Sequence, residues 1–255
     1  MNAAQRFKTA LAQQALTVGT FVKTPSTMLA EVLALTDLDV CCLDAEHSPF
    51  DRGDIDGAIL AFRANDKAVV VRIRDHSSPE ILNALDCGAS GIVVPHVDSP
   101  EVARAIVQKS FYGANGRGYA GSSRFAHYTH SPLADNLENN QRETSVIAQI
   151  EDLAALDCID DIMAVDGIDC FFIGVMDLTV ALGASHANDP KVTAAIDHII
   201  AAANTHQRTL GMFVPDPKAV AQWQAKGVSL FLLNSDHGFI KQGANALVAS
   251  VKSVN

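Results

Sequence analysis

Eight short apolar runs recur along the whole chain, separated by stretches of helical character and with no shift of composition between them. They read as strands at residues 16–22, 39–43, 67–73, 91–97, 146–151, 169–178, 209–214 and 229–233. Helical patterns occupy 1–14, 26–35, 51–62, 78–85, 100–107, 153–165, 190–204, 217–226 and the stretch from 239 onward. Strands joined through helices are parallel, because each crossover returns the chain to the same end of the sheet. Eight such units without a linker argue for one (β/α)8 TIM barrel spanning residues 1–255. An open doubly wound sheet shares the alternation and is the competing architecture.

The net charge of −10 disfavours nucleic acid and anionic membrane surfaces, leaving a small molecule as the default partner. Of five cysteines, Cys41, Cys42 and Cys170 fall in apolar strands and Cys87 and Cys158 in helical patterns. None has zinc or CxxC spacing, so reduced thiols and a cytoplasmic setting are expected. Residues 1–14 form an amphipathic pattern carrying Arg6 and Lys8, neither a signal peptide nor a membrane span.

The chemistry concentrates at predicted strand ends. In the unit from Val146 to Leu178, two apolar runs each finish in an acid, Glu151 and Asp177. Side chains alternate along a strand, so Gln149 and Glu151 face a shared interior while Ala148 and Ile150 face helices. Two carboxylates at one mouth suit a hard divalent cation such as Mg2+ or Mn2+; two acids in helix first turns, favoured by the dipole, are the plainer explanation. Asp44 and His47 share a polar loop after the second strand, spaced so that the carboxylate could orient the imidazole. Arg72 ends an otherwise apolar strand and needs an anionic partner. Phe213, bulky at the end of the seventh strand, either narrows a pocket or packs in the core. Lys23 is the one lysine placed for a Schiff base, but Thr24 and Pro25 mark a turn and favour a solvated side chain.

Other motifs exclude chemistry. The loops Pro215-Asp216-Pro217 and Asn234-Ser235-Asp236-His237-Gly238 are acidic and glycine-poor, unlike a phosphate cup. Gly116-Arg117-Gly118-Tyr119-Ala120-Gly121 matches GxGxxG literally, but no strand precedes it closely and no apolar-periodic helix follows. The segment from 110 to about 140 therefore reads as one long irregular loop, a candidate lid or rim. No GxSxG elbow is present.

Taken in order, Leu43-Asp44-Ala45-Glu46-His47-Ser48-Pro49, Val71-Arg72, Leu85-Asp86-Cys87-Gly88-Ala89, Ile92-Val93-Val94-Pro95, Gly116-Arg117-Gly118 with Arg124, Gln149-Ile150-Glu151 and Phe172-Ile173-Gly174 with Asp177-Leu178 resemble the HpcH/HpaI aldolases, metal-dependent enzymes acting on pyruvate. The resemblance implies a barrel whose last helix packs on a neighbouring subunit, with dimers grouped into a hexamer. It implies that Glu151 and Asp177 bind Mg2+, Mn2+ or Co2+, and that Arg72, Gln149, Gly174 and Val175 line the 2-oxoacid site. His47 and Asp44 would then form the acid/base pair. Ile73 and Val175 stand where members of this family usually carry proline, and Phe21 and Lys23 lie where a tryptophan is common, which affects pocket shape. The activity expected is a class II aldolase joining pyruvate, or a similar small 2-oxoacid, to an aldehyde. An acyl-CoA lyase and a non-catalytic 2-oxoacid-binding barrel are the alternatives; the first needs a basic surface that this acidic chain does not offer.

Overall fold

The structure, a computed structural model, describes residues 1–253. Eight parallel strands close into a barrel in sequence order, with the eighth pairing the first. They are β1 Thr17–Val22, β2 Val40–Asp44, β3 Ala68–Arg72, β4 Gly91–Val94, β5 Ser145–Ile150, β6 Cys170–Ile173, β7 Leu210–Val214 and β8 Val228–Ser235. The helices are α1 Ala3–Ala12, α2 Thr27–Ala34, α3 Arg52–Ala64, α4 Ser78–Asp86, α5 Pro100–Ser110, α6 Leu133–Glu143, α7 Leu153–Asp157, α8 Ile159–Met163, α9 Val175–Ala181, α10 Pro190–Thr205, α11 Val220–Gln224 and α12 Asp236–Lys252. Closure decides against the open sheet, which would leave two strand edges unpaired.

Two apolar layers follow from the alternation along each strand. Val69, Val71, Val146, Ala148 and Ile150 pack outward on the helices. Val40, Cys42, Val70, Ile147, Cys170 and Phe172 pack inward, where α1 joins them through Phe7 and Leu11. Helix α1 thus plugs the N-terminal end of the barrel, tied down by Lys8, whose Nζ lies 2.9 Å from Asp169 Oδ2. Filling that end leaves the C-terminal mouth as the open one.

The boundaries differ from expectation where the signal was not apolar. Strand β4 stops at Val94, because Pro95 has no N–H for the ladder and His96 turns into the left-handed region with φ 55°. The expected helix at 153–165 breaks into α7 and α8 at Cys158, whose backbone is non-helical and whose thiol reaches Ala154 O and Asp98 O. Beyond Gly174 the chain becomes helix α9, so Asp177 occupies a helix first turn rather than a strand end.

The loop expected from 110 to 140 also needs correction, since α6 covers part of it. Its inward face is Asn136 and Asn140, both fully buried, while Leu133 and Leu137 are exposed, so its helical period is polar. Asn140 accepts from Tyr112 N at 2.8 Å and donates to Ser110 O and Thr144 Oγ1. The glycine-rich part is not a lid over the mouth of its own chain. It packs on α3 and α4, where Arg117 is buried against Asp86 and stacks on Tyr112 and Phe125, and Arg124 pairs with Asp56 at 2.6 Å.

Gly91 opens β4 opposite Ser145, and a Cβ there would fall 2.3 Å from Ser145 O, a backbone atom that cannot step aside. Gly91→Ala is expected to cost about 1–3 kcal/mol by overpacking. In a chain of this length that lowers Tm by roughly 2–12 °C, checked by thermal unfolding.

Candidate active site

The barrel's C-terminal mouth holds a cavity of about 310 Å³. Its walls include His47, Arg72, Gln149, Gly174, Val175, Asp177 and Phe213, seven positions named above from the sequence, together with Phe21 and Lys23. A larger hollow of about 440 Å³ lies at the opposite end, beside α1, lined by residues such as Leu16, Asp37 and Lys67. That face of a barrel serves stability rather than chemistry.

The mouth is built on Asp44. In the β2–β3 register Asp44 sits beside Arg72, and both point inward. Asp44 is fully buried; its Oδ1 accepts from Arg72 Nε at 3.0 Å and Nη2 at 2.8 Å, and its Oδ2 from Lys23 Nζ at 2.5 Å. Burial alone would push this carboxyl up, yet Arg72 and Lys23 hold it below the usual carboxylate range. The expectation for Lys23 is therefore corrected: its ammonium is engaged with Asp44, and Asp236 caps the backbone N–H groups of Lys23 and Thr24 at 2.9 Å. Asp44 also departs from its expected place against the imidazole. It accepts only the backbone N–H of His47, at 3.2 Å, because both oxygens are already committed to Arg72 and Lys23. The carboxylate beside the half-exposed His47 ring is Glu46, with Oε2 3.7 Å from Nε2.

Arg72 is gripped from two further sides. Its guanidinium carbon lies 4.7 Å from the Phe21 ring centroid, and its Nε 3.3 Å from Glu46 Oε2. Phe21 also meets Phe172 edge-on and Phe213 at a tilt, with centroids 6.5 and 6.0 Å apart. Phe213 is half-buried, one side on this aromatic group and the other on the cavity.

The acidic half of the site starts from β5. Gln149 lies on the inward face, and its amide nitrogen donates to Glu151 Oε2. A Cβ on Gly174 would come within 2.6 Å of that same oxygen, so only glycine lets β6 end this close to the carboxylate. Glu151 Oε1 accepts the backbone N–H of His96 at 2.9 Å. Burial pushes the Glu151 carboxyl up, and the neighbouring charge of Asp177 adds to it. Burial likewise raises Glu46, although Arg72 opposes the shift.

Glu46, His96 and Glu151 each present one ligand atom, all within 4.8 Å of one another. The buried Glu46 Oε2 has no hydrogen-bond partner, nor does the buried Gln149 Oε1. Two carboxylates and an imidazole brought this close offer oxygen and nitrogen donors, and this donor set fits a divalent cation. Glu46, His96 and Phe21 were not singled out as site residues from the sequence. The Asp-x-Glu-His spacing of the loop carried a signal for Glu46; His96 was hidden inside an overlong fourth strand, where Pro95 was the available clue.

Residues 17–241 match the family described as HpcH/HpaI aldolase/citrate lyase. The chain belongs to this family. It is 30% identical over 252 residues to the 5-keto-4-deoxy-D-glucarate aldolase of Shigella boydii serotype 18, covering 97% of this chain and 96% of that one. Among solved structures, an HpcH/HpaI aldolase/citrate lyase family protein from Burkholderia cenocepacia J2315 superposes with a TM-score of 0.92 at 27% identity, covering 97% and 99% of the two chains. The citrate synthase SbnG superposes with a TM-score of 0.85 at 31% identity, covering 96% and 97%. Near-complete coverage by named aldolases makes this HpcH/HpaI protein a carbon–carbon lyase.

If Asp44 holds Arg72 and Lys23 in place, Asp44→Asn leaves Lys23 without its charge partner and Arg72 with Glu46 alone. The expected loss is about 3–5 kcal/mol, that of breaking a buried ion pair, read by denaturant unfolding. An unchanged midpoint would instead confine Asp44 to the His47 loop.

Proposed function

We propose that this lyase is a divalent-metal-dependent aldolase that reversibly cleaves a 4-hydroxy-2-oxoacid into pyruvate, or a similarly small 2-oxoacid, and an aldehyde. The observation that carries the reading is the convergence of Arg72, Gln149, His47 and the Glu151–Asp177 acids on one mouth. Glu151 and Asp177 would hold the cation, with Glu46 and His96 at the same cluster. When bound, the cation supplies Lewis-acid polarisation of the 2-oxoacid carbonyl.

The chain's own residues account for the rest. Arg72, a permanently charged fork already fixed by Asp44 and Phe21, offers electrostatic stabilisation to an enolate oxygen without reorganising. Gln149, fixed through Glu151, orients the 2-oxoacid end of the substrate beside Gly174 and Val175. His47 accepts the proton of the 4-hydroxyl as the C3–C4 bond breaks; the bonding electrons remain on the 2-oxoacid as its enolate, and His47 then returns the proton to C3. Phe213 bounds the aldehyde side of the cavity and sets its width. Lys23, engaged with Asp44, forms no imine.

Assembly through the last helix fits its surface. Along α12 only Asp236 is buried, while Ile240, Leu247, Val248 and Val251 are each at least half exposed, an apolar face that a second subunit would cover in dimers and a hexamer. The five free cysteines suit a reducing cytoplasm, and among the described residues no helix is long and apolar enough to cross a membrane.

Deuterium exchange into the pyruvate methyl group, followed by NMR without aldehyde, isolates the proton-transfer step. Chelation or Glu151→Gln is expected to stop the exchange, with Mg2+, Mn2+ or Co2+ restoring it in the chelated wild type. His47→Ala is expected to slow it by about 10²- to 10⁴-fold while pyruvate still binds. Full exchange in thoroughly chelated protein would overturn the metal-dependent reading. In a separate check, borohydride added with pyruvate is expected to leave the protein mass unchanged, and an adduct on Lys23 would move the enzyme to imine chemistry.

A further inference from the structure

We propose that His96 is a direct nitrogen ligand of the cation, and that this nitrogen biases the site towards Co2+ over Mg2+. The inference deepens the reading above and rests on the cation being held at Glu151.

Three observations converge on His96. Its ligand atom lies within 4.8 Å of those of Glu46 and Glu151, which reach the mouth from the ends of β2 and β5 while His96 comes from the end of β4. Its backbone takes a left-handed φ of 55°, a conformation uncommon outside glycine. The turn is stitched to the acid itself, since the N–H of His96 donates to Glu151 Oε1 at 2.9 Å.

The third observation is the ring. Nδ1 lies 3.1 Å from Asp152 Oδ2 and 3.5 Å from Glu151 Oε1, and Nε2 lies 3.9 Å from Glu46 Oε1. With Nδ1–H donated to Asp152, Nε2 keeps its lone pair free, 3.9 Å from Glu46 Oε1. That pairing of carboxylate, histidine and cation fixes the tautomer of many metal-bound imidazoles. The 3.9 Å separation is too long for a hydrogen bond. It is close to the spacing of two ligands sharing one ion, about 3–3.5 Å when each bond is about 2.1 Å. A small rotation of the imidazole, whose side chain is 59% exposed, closes the difference. Oxygen donors alone suit Mg2+, whereas an imidazole raises affinity along the series towards Co2+.

The test titrates metal-free protein with Co2+ and with Mg2+ by calorimetry, and reads directly bound nitrogen by pulsed EPR of the Mn2+-loaded protein. His96→Ala is expected to weaken Co2+ by at least the 10- to 100-fold that even an outer partner of a metal site is worth. Mg2+ binding should stay close to wild type, and the nitrogen coupling should vanish. Asp152→Asn is expected to weaken Co2+ in the same sense with the imidazole still present. No nitrogen coupling in the wild type, or equal weakening of both metals by His96→Ala, would overturn the assignment. Glu151→Gln separates the two readings, because it should abolish binding of both ions. Retained binding there would move the cation off Glu151 and remove the premise instead.

Discussion

The mouth of this barrel depends on one carboxylate, that of Asp44, taken out of water between β2 and β3. An ion in that position is tolerated only with its charge and lone pairs met, and here Arg72, Lys23 and the His47 N–H meet them. The consequence runs outward from the pair. Arg72 is fixed in orientation by a two-pronged hydrogen bond and an aromatic face, and the loop carrying Glu46 and His47 is pinned at its start. The Arg72 guanidinium and the loop after β2 are thereby positioned by rigid strands, which places groups more accurately than a free loop does.

The opposite wall has the reverse electrostatics. Glu151 and Glu46 are both pushed up, chiefly by burial, and Glu46 Oε2, 3.3 Å from Arg72 Nε, makes no hydrogen bond. A fold selected for stability alone would have neutralised these groups or paired them fully. The two walls together make a field running from a guanidinium to clustered acids across a cavity of about 310 Å³. Under the function proposed above, a 2-oxoacid with a cation at its carboxylate end would match that field, with the acids facing the cation and Arg72 the anionic oxygen that develops.

Most of the architecture was legible because barrel strands carry their own signal. Every strand is an apolar run of β-branched or aromatic residues, and the inward placement of Gln149 and Arg72 follows from counting along β5 and β3. What could not be read depends on polar or long-range contacts. Helix α6 buries asparagines instead of leucines, so apolar periodicity does not reveal it. Asp44 was separable from the imidazole only once Lys23, from β1, and Arg72, from β3, were seen to occupy its oxygens. The cluster of Glu46, His96 and Glu151 joins three different strand ends, a juxtaposition made by barrel closure and not by spacing along the chain.

That division bears on how such a site changes. The inward layer formed by Val70, Ile147 and Cys170 supports the mouth without lining its cavity, and its packing tolerates few changes of volume. The residues just past the strand ends carry no such burden: His47 and His96 are well exposed, and Phe213 is only half-buried. Exchange at those positions alters donor atoms and pocket width while the barrel stays intact. A citrate synthase and a sugar-acid aldolase, each about 30% identical to this chain, are consistent with that freedom. Reaction preference within the family should therefore be sought in the last residue or two beyond each strand, where a change meets the substrate before it meets the core.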